Sequence, residues 1–280
     1  MSAISTIAVL TVTEAVRRRL LLAFAAITVV LVGLSAWGFD RLGHSHSITS
    51  GESHLAVPDA LILFMFMFSF VVALSASAIA APAISSEVES GVLMTVVTRP
   101  VRRAEVLCGK WLGLAALLAG YAAVVCALEF VVVDWASGYV PPDPVLAGLC
   151  LFGEGALLLT LALALSTRMP VIAAGVVGVA AFGAGWLAGV VGTLGANLNI
   201  GALSTVGQVG HLLMPTDGLW HAAIYYLQPS SLLAGPLADR AKGNPFYAQG
   251  GPSWPYLLWV AGWLVIVLIA GVASFERREL

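Results

Sequence analysis

Between Leu20 and Phe39 the chain runs about 20 residues without a charge, the length that crosses a hydrocarbon layer at about 1.5 Å per residue. Comparably apolar runs recur at residues 60–83, 111–133, 145–165, 171–191 and 254–274. Only 10% of the 280 residues are charged and 60% are hydrophobic, whereas a soluble chain carries about 25% charge. The expected fold is therefore an all-α polytopic membrane protein, with six transmembrane helices in a single domain spanning residues 1–280. The net charge of −2, with cations grouped at the edges of the apolar runs, argues against a nucleic-acid partner. Cys108, Cys126 and Cys150 have no metal-ligand spacing and imply no disulfide framework.

The cations also orient the runs. Of the 13 Lys and Arg, only Arg41, Arg240 and Lys242 fall on one side of the alternating topology; the other ten fall on the opposite side. Lys and Arg near span ends are biased to the cytoplasm. Both termini are thus expected in the cytoplasm, with the protein multi-pass in the plasma (inner) membrane. Residues 84–110 become a cytoplasmic loop and 192–253 an extracytoplasmic segment. Within the latter, Leu194–Leu213 and Leu219–Leu233 are apolar but broken by Asn, Gly and Pro, which suits re-entrant or interfacial helices or a further pair of spans. Residues 3–16 place Ile4, Ile7, Ala8, Thr11 and Ala15 on one side at helical spacing, as in an interfacial amphipathic helix or an extension of the first span. The Arg17–Arg19 cluster follows that segment, and no small-residue cleavage site closes the next run, so a cleaved signal peptide is not expected.

The loop itself reads Glu87-Val-Glu89-Ser-Gly91, then Thr98-Arg99-Pro100-Val-Arg102-Arg103-Ala-Glu105, then Gly109-Lys110. This order resembles the cytoplasmic loop of ABC-2 type transporter permeases. The tail Phe275-Glu-Arg-Arg278 is similar to the end of many such permeases. The resemblance implies an N-terminal elbow helix and a coupling helix between the second and third spans. It implies that Glu87, Glu89, Gly91, Arg99, Arg102, Arg103 and Glu105 couple to a separate cytosolic ATPase subunit, which would hold ATP and Mg. It also implies pairing with a second permease copy or a paralogue, and exit of substrate through their interface. Met214-Pro-Thr-Asp217 resembles a stretch of permeases associated with maturation of copper enzymes such as nitrous-oxide reductase, which would add an extracytoplasmic partner. The chain has no phosphate-binding loop of its own: Lys110 follows Gly109, but Ala104 stands where the motif needs glycine, and no Ser or Thr follows. It is read as a non-catalytic subunit without a cofactor.

Charge inside a bilayer is expensive, so Glu154, about 14 Å into the fourth span, and Glu129, about one turn from the end of the third, are the candidate substrate or ion path. Glu154 suits a path or a hydrogen-bonded packing role equally, whereas Glu129 is expected to reach water by snorkelling. All five histidines are assigned to outer segments. His44, His46 and His54 have the residue types to bind a soft or borderline metal, but solvated loop histidines are the simpler reading. Trp37, Trp135, Trp220 and Trp254 are read as interface anchors. Three functions remain open: an exporter permease, an ATPase-driven scaffold acting on an outer partner, and a membrane enzyme built on Glu154 and the outer histidines. The differing depths of those groups argue against the last.

Overall fold

A computed structural model describes residues 3–17, 19–44, 50–89, 102–230 and 244–278. Its elements are α1 (Ala3–Val16), α2 (Arg19–His44), α3 (Ser50–Ala80), α4 (Pro82–Glu89), α5 (Arg103–Ser137), α6 (Pro144–Ser166), α7 (Val171–Asn197), α8 (Gly201–Leu213), α9 (Thr216–Leu227) and α10 (Trp254–Glu276). There is no strand among the described residues. Among the described residues, six helical stretches are long and apolar enough to cross a membrane: Arg19–Leu42, Ala56–Glu89, Arg103–Ser137, Pro144–Ser166, Val171–Asn197 and Trp254–Glu276. The protein is an all-α polytopic membrane protein.

Two of these stretches absorb most of the expected cytoplasmic loop. The second continues through α4 to Glu89, because Pro82 occupies the first position of α4, where a missing N–H costs nothing. The third begins at Arg103, so residues 102–110, although charged, are helix cap and first turns. Charge marks where a helix leaves the hydrocarbon, not where the helix ends.

The core is built on α3 and α6. The small residues Ala73, Ser75, Ala76, Ser77 and Ala80 of α3 are all buried, and the Ser77 hydroxyl donates to the Gly175 carbonyl of α7 at 3.1 Å. Small side chains let helices approach closely where lipid supplies no hydrophobic drive. The expected face of α1 is the one that packs: a Cβ on Gly109 of α5 would come 2.8 Å from Ile7, and one on Gly113 would come 2.6 Å from the Ala8 carbonyl. The opposite side of α1 is not polar throughout; Val9, Leu10 and Val16 are exposed there. That side therefore suits lipid better than water.

Residues 192–230 do not project from the bundle. The seventh helix runs 27 residues to Asn197, the chain turns through Asn199 at φ 54°, and α8 folds back antiparallel along α7. Gly192 and Gly207 meet backbone to backbone, a Cβ on Gly192 coming 2.6 Å from the Gly207 Cα. At Gly185 the α7 helix meets Met214 and Thr216. Gly185 lies about 21 Å along α7, itself about 40 Å long by helical rise, so the Met214–Thr216 tip reaches about halfway across. Helix α9 then returns. With 13 and 12 residues, neither helix spans the roughly 30 Å of hydrocarbon, and the pair forms a re-entrant hairpin. Its exit is tied down where the Tyr139 hydroxyl donates to the Leu227 carbonyl at 2.7 Å and the Gln228 amide to the Ala248 carbonyl at 2.5 Å.

Gly207→Leu should unseat α8 from α7. Overpacking costs about 1–3 kcal/mol, so the thermal midpoint of the purified protein in detergent should fall by several degrees. Gly262→Ala, which meets nothing within 4 Å, should not lower it.

Candidate functional site

The hairpin tip brings polar groups to mid-depth. Asp217, in the first turn of α9, is 2% exposed, and its carboxylate rests on Gly189, where any Cβ would overlap it. The motif Gly185-Trp-Leu-Ala-Gly189 thus opens the surface of α7 to the hairpin tip. The Nε2 of His211 stands 3.0 Å from Asp217 Oδ2. His221, one turn further along α9, brings Nδ1 to 3.3 Å from the same oxygen and 2.9 Å from the Asp217 carbonyl. Both carboxylate oxygens of Asp217 and Oγ1 of Thr216 are buried without a well-aligned hydrogen bond, so the two imidazoles meet Oδ2 as ion-pair contacts. Tyr256 of α10 closes the tip by donating to the Pro215 carbonyl at 2.5 Å.

Burial alone would push the Asp217 carboxyl up, but the two imidazoles outweigh it and hold the group below the usual carboxylate range. Burial likewise opposes charge on His221, and bonding to Asp217 reverses this, so His221 lies above its ordinary value. The start of α9 adds the positive end of a helix dipole.

Glu154 lies alongside, close enough for its charge to interact with that of Asp217. It is 3% exposed and accepts from Ser69 Oγ at 2.7 Å, while its neighbour Gly153 receives Leu219 of α9. Glu129 sits elsewhere, between α5 and α2, accepting from Ser35 Oγ at 2.8 Å. It does not snorkel. It is fully buried, because α5 continues two turns past it to Ser137 and turns it toward α2, and its Oε1 has no partner. Glu129 and Glu154 are therefore not brought together as one path within this chain.

The end of the bundle that gathers α1, the start of α5 and the end of α10 is braced by cations. Arg103 donates to the carbonyls of Phe275, Glu276 and Arg278 at 3.0, 3.2 and 2.6 Å and lies over the Phe275 ring. Arg278 donates to the Thr167 carbonyl at 2.5 Å, at the end of α6. Lys110, buried, donates to the Ala83 carbonyl and pairs with Glu87 at 2.5 Å. Cations at helix C-termini satisfy orphan carbonyls and complement the dipole. Glu105 accepts from the Arg102 backbone N–H at 2.9 Å, capping α5. Four of the residues expected to couple to the ATPase thus have these places: Glu87, Arg103 and Glu105 are bonded within the chain, and Arg102 is exposed at the cap of α5. Glu89 is exposed at the end of α4. Gly91 and Arg99 lie outside the described residues, as do His46 and the side chains of His44 and His54.

Sequence reasoning missed the Asp217 cluster. His211 and His221 do not belong to a remote outer loop: the hairpin carries them to the depth of Glu154. The available signals were Asp217 and His221 four apart on one helix face, and Pro215 breaking the run. Trp220 is a further correction. It is 1% exposed, packed 5.3 Å from Phe66, because α9 is enclosed by α3 and α6, whereas Trp37, Trp135 and Trp254 are exposed as expected of anchors.

Spans interrupted by a half-helix at mid-depth, with charged groups gathered at its N-terminus, are the construction that membrane transporters use for binding and gating. A family profile described as ABC-2 family transporter protein matches residues 5–280, and the chain belongs to that family. It is a multi-pass membrane subunit of an ABC transporter, a class that works with an ATP-binding partner subunit. No curated protein matches the chain.

The Asp217 cluster makes stability depend on pH with a definite sign. Because His221 is raised, its contribution is complete below the ordinary value of about 6.5 and is lost as pH rises through the raised value. Because Asp217 is lowered, its contribution is present above about 3.9 and is lost as pH falls through the lowered value. The thermal midpoint in detergent should therefore decline as pH rises past about 6.5, and His221→Gln should flatten that alkaline limb. Parallel curves for the two proteins between about pH 6.5 and 9 would show that the pair contributes nothing.

Proposed function

We infer that this chain is the permease of an exporter. In this reading it pairs with a second copy or a paralogue and is driven by a cytosolic ATPase subunit that holds ATP and Mg. The cation-braced end faces the cytoplasm of the plasma membrane with both termini, following the bias of Lys and Arg. The ATPase docks on the exposed end of α4, the cap of α5 and the segment 90–101 between them.

The bracing of that end carries the reading. Lys110 joins α5 to α4, Arg103 joins α5 to α10, and Arg278 joins the tail to the α6–α7 turn. A displacement imposed at Glu89 or Arg102 is therefore delivered to several spans at once instead of being absorbed by one loop. The hairpin tip at Gly185 and Gly189 is the element for such a displacement to move, since it is held by close packing on α7 and hydrogen bonds from Tyr256 and Trp263 of α10 and not by a crossing helix. Nucleotide supplies the differential free energy between two states that the chain cannot generate itself. Substrate moves through the interface between two permeases.

Affinity purification of the tagged chain from native membranes should bring down an ATPase subunit. Glu89→Lys and Arg102→Glu, both at exposed positions, should reduce its recovery at least about tenfold, the effect of about 1.4 kcal/mol at a charged interface, with the thermal midpoint unchanged. Recovery of no ATPase with the wild type under mild extraction would overturn the permease reading. Full recovery with both variants would move the docking site elsewhere.

A further inference from the structure

A cleft of about 650 Å³ opens between α7, α8 and the start of α10, within the range of about 300–1,000 Å³ typical of small-molecule sites. Gly192 and Gly207 form its floor, Gln208 and His211 stand on one rim, and Tyr256 and Trp259 make the facing wall. The cleft occupies the half of the membrane remote from the braced end, since its α7 residues lie beyond the hairpin tip at Gly185. It opens on the outer side of the bundle: α7 and α10 are among the least enclosed spans, and Leu212 on its rim is 57% exposed.

Its chemistry narrows the occupant. No Lys, Arg, Asp or Glu lines it among the described residues, and His211 is held by Asp217. A charged ligand in hydrocarbon needs a counter-charge, so the cleft suits a neutral one. Gln208 is nevertheless exposed there, on a helix whose other exposed side chains are Ala202, Thr205, Val206, Val209, Leu212 and Leu213. Its amide can donate to a hydroxyl or carbonyl oxygen, while the glycines and the aromatic residues of the lining offer an apolar slot for the rest of the molecule.

We propose that this cleft binds a neutral amphiphile, with a hydroxyl or carbonyl head at Gln208 and an apolar body in the slot, which enters sideways from the bilayer. The site deepens the transport reading by naming a substrate class, and rests on it only for the movement of the bound molecule. The groove between α5 and α6, about 540 Å³ and lined by Ala119, Phe130, Gly148 and Leu149, provides an internal reference for ordinary lipid contact.

The test is photolabelling of the ATPase-bound protein in phosphatidylcholine nanodiscs with a diazirine-bearing diacylglycerol, the labelled peptides being mapped by mass spectrometry. Labelling of α8 and α10 should saturate and be displaced by excess unlabelled dioleoylglycerol, while labelling of the α5–α6 groove should not. Gln208→Leu should weaken displaceable labelling about fivefold, the worth of one neutral hydrogen bond. Ala196→Trp, which fills the cleft from an exposed position, should abolish it. Three results would overturn the proposal: labelling of α8 and α10 that is not displaceable, stronger displacement by anionic phosphatidylglycerol than by dioleoylglycerol, or wild-type labelling of both variants. Retention of the ATPase in the same preparation would confine such a failure to this site and leave the permease reading intact.

Discussion

Two helices in hydrocarbon gain no hydrophobic energy by meeting, because lipid tails are as apolar as the side chains they replace. Adhesion must come from close contact and from polar groups that have nowhere else to find partners. Both are visible where the bundle is tightest. Backbones touch at Gly192 and Gly207 and at Gly113 and Ala8, and serines are spent on carboxylates, Ser69 on Glu154 and Ser35 on Glu129. The hairpin α8–α9 depends on this economy more than any other element, since it enters the membrane without crossing it and is held only by what it touches.

Polar pairing takes a different form at the two levels of the molecule. Inside the bundle the carboxylates are matched with neutral or switchable donors: hydroxyls for Glu154 and Glu129, imidazoles for Asp217. At the braced end, where water is near, permanent cations bind backbone carbonyls: Arg103 and Arg278 at the C-terminal ends of α10 and α6, and Lys110 at Ala83 in the first turn of α4. Those cations are usually read only as topology signals. Here they also lock helix ends together, which turns separate spans into a unit able to receive a push. The mid-depth cluster is instead able to change, because its pairing depends on protonation.

Much of this was legible in the sequence. Apolar runs of about 20 residues are a length requirement with few solutions, so the six spans, the packed face of α1 and the small-residue face of α3 could be read from periodicity and composition. The breaks at Asn199 and Pro215 pointed to re-entrant or interfacial helices in 192–253, with a further pair of spans left open. Helix limits were less legible at charged ends. Glu87, Arg103 and Lys110 looked like loop residues because charge and loop coincide in a soluble protein, whereas a transmembrane helix carries its charges on turns that extend past the hydrocarbon.

The candidate site was legible only in pieces. Glu154 stood out because a lone carboxylate in a 20-residue apolar run is costly wherever it points. His211, Asp217 and His221 did not, because each is unremarkable in an outer segment and acquires meaning only when that segment folds back into the membrane. The sequence by itself determined the number of spans and the positions of the polar groups along the chain, since both follow from local length and hydropathy. Only the tertiary structure decided which polar groups share a depth, that Glu129 is enclosed and not snorkelling, and that Trp220 is core and not anchor. Those outcomes depend on which helices pack side by side, and that choice is made by contacts between residues far apart in the chain.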